Sequence, residues 1–100
     1  MPRLDTGVSK MSATLIVRHS VTDYAAWRSV YDSVEPLRQS HGCTGQSVFH
    51  APNDANDVLA THDFPTVAQA EAFAADPELG AAMQRAGVSG APRIEIFESV

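Results

Sequence analysis

Six stretches of alternating structural type constrain this chain more than any single motif does. Four have the β-branched, apolar composition of strands and span residues 13–19, 46–50, 58–64 and 93–99. Two others repeat apolar residues at spacings of three and four, as amphipathic helices do, and span residues 24–41 and 66–86. The predicted order is therefore β-α-β-β-α-β, which leaves few topologies open.

Local signals indicate where the two predicted helices begin and break. Asp23 stands at the N-cap position of the first helix, and Thr66 stands at that of the second. Pro36 predicts a kink or a break near residues 32–36, because proline lacks a backbone donor and crowds the preceding turn. Asp76-Pro77 interrupts the second helical pattern, so a short separate helix is expected after it.

The strand patterns predict which side chains share a face. In the first strand Leu15, Val17 and His19 alternate with Ile16 and Arg18. The second and third strands form a hairpin around a turn-rich stretch at 51–57, and the third strand is expected to start at Asp57 or Val58. A loop is predicted at 88–92, before a last strand from Arg93 to Ser99.

This element order is typical of the ferredoxin-like α+β fold, a four-stranded antiparallel sheet of order 4-1-3-2 with both helices on one face. The opposite face of the sheet is then bare. It is expected to carry Ile16 or Leu15 from the first strand, and Phe97 or the Ile94 and Ile96 pair from the last. An apolar patch of that size on a small protein favours a homodimer packed sheet to sheet about a two-fold axis.

The charge balance excludes several classes of partner. The 100 residues include 7 Lys and Arg against 12 Asp and Glu, for a net charge of −5. Nucleic acids and anionic membranes attract clustered cations, so neither is an expected partner. The single Cys43 cannot close a disulfide within the chain, and no apolar run approaches the length of a membrane span. A cytoplasmic protein is expected.

The chain has the length of one domain. Residues 1–11 mix turn formers and charges without periodicity and are predicted to be a flexible leader, whereas residues 12–100 form the single ferredoxin-like domain. An alternative is that residues 1–10 form an arm that orders on contact with a larger assembly.

Three segments resemble one superfamily. They are the run Val21–Arg28, Pro36-Leu-Arg38 with Gly42, and the run Met83–Pro92. Together they are similar to the dimeric α/β-barrel superfamily, in the branch of antibiotic-biosynthesis-monooxygenase-like and cyclase-like small proteins, over residues 12–99. The resemblance implies a dimeric α/β barrel with a small-molecule cavity between sheet and helices. The superfamily includes cofactor-free oxygenases, haem-degrading enzymes, and dehalogenating and isomerising enzymes, so fold alone does not select a reaction.

The haem-degrading members of this superfamily are disfavoured. They use a histidine on the second helix as iron ligand and an asparagine on the first strand. Residues 66–86 contain no histidine here, and residues 13–19 contain no asparagine. No cofactor is therefore expected.

Two strand histidines are candidate catalytic residues. His62 lies among Val58, Ala60 and Phe64, where partial burial can tune an imidazole to act as a general base, and His19 shares that possibility. The alternative for both is a hydrogen-bonded structural histidine. A metal site built from the strand histidines is disfavoured, because His19 and His62 lie nearly a strand length apart in the predicted sheet.

The remaining candidates would bind or orient a ligand. Arg18 offers a guanidinium for a carboxylate or phenolate, although an ion pair with Glu95 or Glu98 is the plainer interpretation. Trp27, Tyr31 and Phe64 are predicted to line a pocket for a planar molecule, or else to belong to the core. His41 is expected to stabilise the end of the first helix. Cys43 lacks a basic partner suited to nucleophilic catalysis.

The sequence contains none of the glycine-rich, Cys-x-x-Cys or Gly-x-Ser-x-Gly motifs of nucleotide-binding, zinc-ribbon or serine-hydrolase proteins. The leading hypothesis is a homodimer whose cavity binds a small apolar or aromatic molecule, as a cofactor-independent monooxygenase, isomerase or cyclase. The alternative is a non-catalytic ligand-binding or structural dimer with a small or collapsed cavity.

Overall fold

A computed structural model describes residues 12–100 of the chain. The predicted leader at 1–11 lies outside these residues. The elements are β1 (Ala13–Val21), α1 (Tyr24–Ser33), α2 (Glu35–Ser40), β2 (Gly45–Ala51), β3 (Asp54–Phe64), α3 (Val67–Ala75), α4 (Pro77–Arg85) and β4 (Val88–Glu98). Each predicted helix is thus a pair of shorter helices. Within 12–100, none of the helices has the length and apolar composition needed to cross a membrane.

The four strands form one antiparallel sheet in the order β2-β3-β1-β4. This is the predicted ferredoxin-like order, with β1 at the centre between β3 and β4. Leu15 of β1 pairs with His62 on one side and with Ile96 on the other, and His19 pairs with Val58. Both helical pairs cover the same face of the sheet, so the α+β ferredoxin-like fold is confirmed.

The helices break where the sequence predicts. Pro36 sits in the first turn of α2, where its missing N–H costs no hydrogen bond, and Val34 separates α2 from α1. Asp76 ends α3 and caps α4, where its carboxylate accepts from the backbone N–H of Glu78 at 2.8 Å. The same carboxylate lies 2.8 Å from Nε2 of His41, which joins the end of α2 to the junction of α3 and α4.

Two strands start earlier than the sequence predicts. β3 begins at Asp54, because a tight turn of Pro52 and Asn53 brings Ala51 opposite Asp54. β4 begins at Val88 and includes the stretch 88–92 that was expected to be a loop. The prediction was wrong because a register shift in the β1–β4 pairing lets the strands pair again at Ser20 and Ser89.

The core lies between the sheet and the helices in two adjoining clusters. One is centred on Leu15, Phe64 and Phe73, and the other on Trp27, Tyr31 and Val58. Leu15 comes from β1, and Val58 and Phe64 come from alternate positions of β3, as expected when one sheet face is covered, whereas the helices supply the other three. Both clusters adjoin buried polar side chains, because Phe73 packs against His62 and Trp27 packs against His19.

Within residues 12–100, the other face of the sheet is uncovered and carries apolar side chains. By strand alternation Ile16, Leu59, Phe49 and Phe97 lie on this face, and Phe49 and Phe97 are 55% and 57% exposed. Of the alternatives that the sequence left open, Ile16 and Phe97 are therefore the residues of the bare face. Leu15 and Ile96 lie on the helix side, in or against the core.

Candidate functional site

A narrow cavity lies between the sheet and helices α1, α2 and α4. Its volume, the space that the centre of a water molecule can occupy, is about 40 Å3, enough for a few water molecules. Val17 and Ala60, paired across β1 and β3, form the middle of its floor. Apolar residues make up most of the wall, and the polar side chains among them are His19, Tyr31, Arg38 and His62.

His62 is 4% exposed and lies at one end of the cavity floor. Its Nε2 is 3.0 Å from the phenol oxygen of Tyr31, and its ring packs against that of Phe73 at 5.5 Å between centroids. Within residues 12–100, Nδ1 has no hydrogen-bond partner. Burial first, and the charge of Arg38 second, lower the pKa of His62 to about 4, so the imidazole is neutral at pH 7.

His19 lies toward the other end of the floor and is 7% exposed. Neither ring nitrogen has a hydrogen-bond partner in the described part of the chain. Burial lowers its pKa below the ordinary value of a histidine. Buried polar atoms are nearly always hydrogen-bonded, so two histidines with unpaired nitrogens on one cavity mark a place where a polar ligand atom or water is expected.

An aromatic row connects the two histidines. The ring of His19 meets that of Trp27 edge-on at 5.6 Å, Trp27 stacks on Tyr31 at 4.9 Å, and Tyr31 lies 5.9 Å from His62. Trp27 and Tyr31 are one helical turn apart on α1, which places their rings side by side. The row gives the cavity an aromatic wall suited to a largely apolar molecule.

Arg38, the last polar member of the wall, was not singled out from the sequence as a site residue. It is 1% exposed, and its guanidinium carbon lies 4.0 Å from the centroid of the Tyr31 ring. Its N–H groups donate to the backbone oxygen of Tyr31, to Glu35 and to Gln46. The signal was its position seven residues after Tyr31, two helical turns along the same face.

The structure brings together four of the six predicted site residues: His62, His19, Trp27 and Tyr31 all line the cavity. Phe64 does not line it, because its ring is fully buried in the adjoining core cluster with Leu15. That ring nonetheless packs on Phe73, which does line the cavity, at 5.5 Å between centroids.

Arg18 lies on the opposite, uncovered face of the sheet, because strand side chains alternate. Its Nε and Nη2 donate to the two carboxylate oxygens of Asp57 at 3.1 and 2.7 Å. The predicted ion pair of Arg18 with Glu95 or Glu98 is therefore wrong, because Asp57 on β3 is the acceptor. The Arg18 guanidinium and the Asp57 carboxylate are thus hydrogen-bonded to each other, and they lie on the side of the sheet away from the cavity.

Two other candidates have structural roles in this region. Cys43 Sγ donates to the backbone oxygen of Gly45 at 3.2 Å, and burial raises its thiol pKa, which disfavours the reactive thiolate. His41 pairs with Asp76 rather than facing the cavity. No group of three histidine, cysteine or carboxylate side chains within 12–100 is close enough to hold a metal ion.

No protein-family model matches the chain, and no curated protein sequence matches it. Solved structures do match. SnoaB, a cofactor-independent oxygenase from Streptomyces nogalater, is 13% identical with a TM-score of 0.73, over 89% of this chain and 93% of that one. A candidate antibiotic biosynthesis monooxygenase from Bordetella bronchiseptica is 15% identical with a TM-score of 0.75, over 89% and 97%.

A protein of unknown function from Nitrosomonas europaea is 22% identical with a TM-score of 0.71, over 90% of each chain. At these identities the likeness establishes a shared fold. The resemblance to antibiotic-biosynthesis-monooxygenase-like proteins is thereby confirmed for the architecture of the chain.

Proposed function

We propose that this protein binds a small, mostly apolar aromatic molecule in the cavity and acts on it without a cofactor, with His62 as general base. Proton removal from an activated carbon or hydroxyl is the step that monooxygenation, isomerisation and cyclisation of such molecules share. The observation that carries the proposal is the neutral, buried imidazole of His62 on the cavity wall, with Nδ1 unpaired.

The tautomer of His62 decides whether Nδ1 can act as the base, and we assign the tautomer protonated at Nε2. When Nε2 carries the proton it donates to the Tyr31 oxygen at 3.0 Å, and Nδ1 then has a free lone pair. A substrate proton passes to Nδ1 in that tautomer. The resulting anion is electron-rich, and in an oxygenation it supplies the electrons that molecular oxygen accepts. His19, with both nitrogens unpaired, is assigned to binding a polar group at the other end.

The relatives in structure support this reaction class. SnoaB, which shares the fold over 89% of this chain, is a cofactor-independent oxygenase. The proposal extends to a homodimer of the cytoplasm. The uncovered sheet face, where Phe49 and Phe97 are more than half exposed, supports the homodimer. The single cysteine, Cys43, which is free, supports a cytoplasmic location.

The test is a panel of phenols, quinols and polyketide-like compounds incubated with the protein in D2O. Mass spectrometry follows deuterium entering the substrate and oxygen entering the product. We expect exchange or turnover with at least one compound, lowered at least 100-fold in His62→Gln. His50→Gln is the matched control, because His50 is exposed and does not line the cavity. Turnover that His62→Gln leaves unchanged would remove His62 from the mechanism.

The narrowness of the cavity favours a second candidate, a non-catalytic ligand-binding or structural dimer. A volume of about 40 Å3 leaves little room for a bicyclic compound unless side chains such as Met83 and Leu79 move. This candidate predicts no exchange and no turnover across the whole panel, with or without binding.

A further inference from the structure

Among the cavity-lining side chains of residues 12–100, Arg38 is the only one that carries a full charge at neutral pH. Both wall histidines have lowered pKa values, and no carboxylate of the described residues lines the cavity. An organic ligand in this cavity therefore experiences one fixed positive charge and no negative charge on its walls.

The charge of Arg38 is only partly compensated inside the protein. Its ion-pair partner Glu35, at 3.0 Å, has a side chain that is 43% exposed, and its carboxylate also accepts from Gln39 and Gln46. Water screens the field of such a carboxylate more than that of a buried guanidinium. The balance within the cavity is positive.

The guanidinium also retains donors. A guanidinium has five N–H groups, and the three hydrogen bonds to Tyr31, Glu35 and Gln46 engage three of them. His62, beside the guanidinium, is only 4% exposed. Within residues 12–100 its Nδ1 has no hydrogen-bond partner. Arg38 and His62 flank the same Tyr31 ring, so the guanidinium lies at the His62 end of the cavity.

We propose that the ligand of this cavity is an organic anion, an aromatic carboxylate or a phenolate, whose charged oxygen accepts hydrogen bonds from the Arg38 guanidinium. The inference rests on the proposed function, because it names the chemical class of the molecule bound there. The apolar body of the ligand lies over Val17 and Ala60, against the Trp27 ring. A guanidinium gives a carboxylate charge-assisted hydrogen bonds, which a neutral isostere cannot match.

The experiment compares anions with neutral isosteres of the same shape. Three pairs serve as probes: benzoate with benzamide, trans-cinnamate with trans-cinnamamide, and 2-naphthoate with 2-naphthamide. Affinities are measured at pH 7.5 by 1H–15N NMR titration of the intact protein. We expect at least one carboxylate to bind ten-fold or more tightly than its amide, with shifts at Arg38 and His62.

Two variants assign the preference. Arg38→Met is expected to reduce carboxylate affinity at least ten-fold while leaving the amide unchanged, and Arg38→Lys to retain part of the preference. Arg85→Met is the matched control, because Arg85 is exposed at the end of α4 and is not on the cavity wall. Should Arg38→Met fail to fold, the ligand pairs on the unmodified protein still decide.

The outcomes separate this inference from the function on which it rests. Equal affinities for carboxylate and amide, both lost in His62→Gln, overturn the anion preference and leave the proposed cavity function standing. A preference for the carboxylate that persists in Arg38→Met overturns the assignment to Arg38. No binding by any of the six probes, with the panel of phenols, quinols and polyketide-like compounds also inactive, overturns both.

Discussion

The phenol oxygen of Tyr31 and Nε2 of His62 lie 3.0 Å apart across the core, from residues 31 positions apart on a helix and a strand. Both groups are buried, so their hydrogen bond is shielded from bulk water. The hydrogen bond therefore holds the imidazole in one orientation at the cavity and couples its tautomer to the phenol proton. A substitution that removes the Tyr31 hydroxyl therefore removes the hydrogen-bond partner of His62 Nε2.

Replacing Tyr31 with phenylalanine leaves Nε2 of His62 buried without a partner. We expect the free energy of unfolding in urea to fall by about 1–3 kcal/mol, the cost of an unsatisfied buried polar group. Tyr24→Phe is the control, because Tyr24 is only half-buried and its ring faces His50. Equal losses in the two variants would show that the Tyr31 hydroxyl contributes nothing specific.

The lowered pKa of His62 predicts that stability falls as pH falls below 6.5. Its pKa is about 4 in the folded protein and 6.5 in the unfolded chain, so the unfolded chain binds the proton more readily. The unfolding free energy should drop by about 2 kcal/mol between pH 7.5 and pH 5 from this residue alone, and His19 adds to the loss.

Urea denaturation at the two pH values measures this loss, and His62→Gln should remove most of it. At pH 5 the carboxylates of Asp57 and Asp76, whose pKa values are lowered by Arg18 and His41, remain ionised and do not confuse the comparison. A pH dependence identical in His62→Gln would contradict the assignment.

The uncovered sheet face makes a prediction about oligomeric state. Light scattering coupled to size-exclusion chromatography is expected to give twice the chain mass of 10.7 kDa. Phe97→Glu should convert the protein to a monomer, because it puts a charge on the apolar sheet face that the dimer is expected to bury. Ala72→Glu, at an exposed position of α3 on the helix side, should remain a dimer. A monomeric unmodified protein would contradict the prediction.

Two glycines should respond to alanine in opposite directions. Gly80 lies within α4, and a Cβ at this position would meet open space. Gly80→Ala should therefore stabilise the protein by about 0.5–1 kcal/mol. Gly87 has a φ of +80°, and a Cβ there would lie 2.6 Å from Oγ1 of Thr22. Gly87→Ala should destabilise by about 1–2 kcal/mol in thermal unfolding. A gain in both variants would show that the turn after α4 is not strained.

Much of the fold could be predicted because its local signals agree. The helix breaks follow from Pro36 and Asp76-Pro77, and the sheet order follows from the element order. The strand starts could not be predicted as well. Turn-forming residues at 54–57 and the Gly90 region join the sheet only because a neighbouring strand pairs with them, and that pairing is a tertiary effect.

The candidate site shows the same division. Periodicity on one strand or helix was enough to bring His19, His62, Trp27 and Tyr31 to one side of the sheet. Arg38 was missed because a charged residue near a helix end is usually exposed, and its burial depends on partners from α1, α2 and β2. The partner of Arg18 depended likewise on the β1–β3 register, which places Asp57 diagonally across from it.

The central position of β1 has a consequence for how this protein comes to be made. Ala13 pairs with Glu98, and the backbone N–H of Ser99 donates to the backbone oxygen of Ser12 at 2.8 Å. The first strand therefore completes its pairing only after the last strand has been synthesised. Until β4 leaves the ribosome, β1 offers an unpaired edge to any neighbouring chain. Pairings this distant in sequence slow folding toward milliseconds or longer, which is the interval in which a chaperone competes with aggregation.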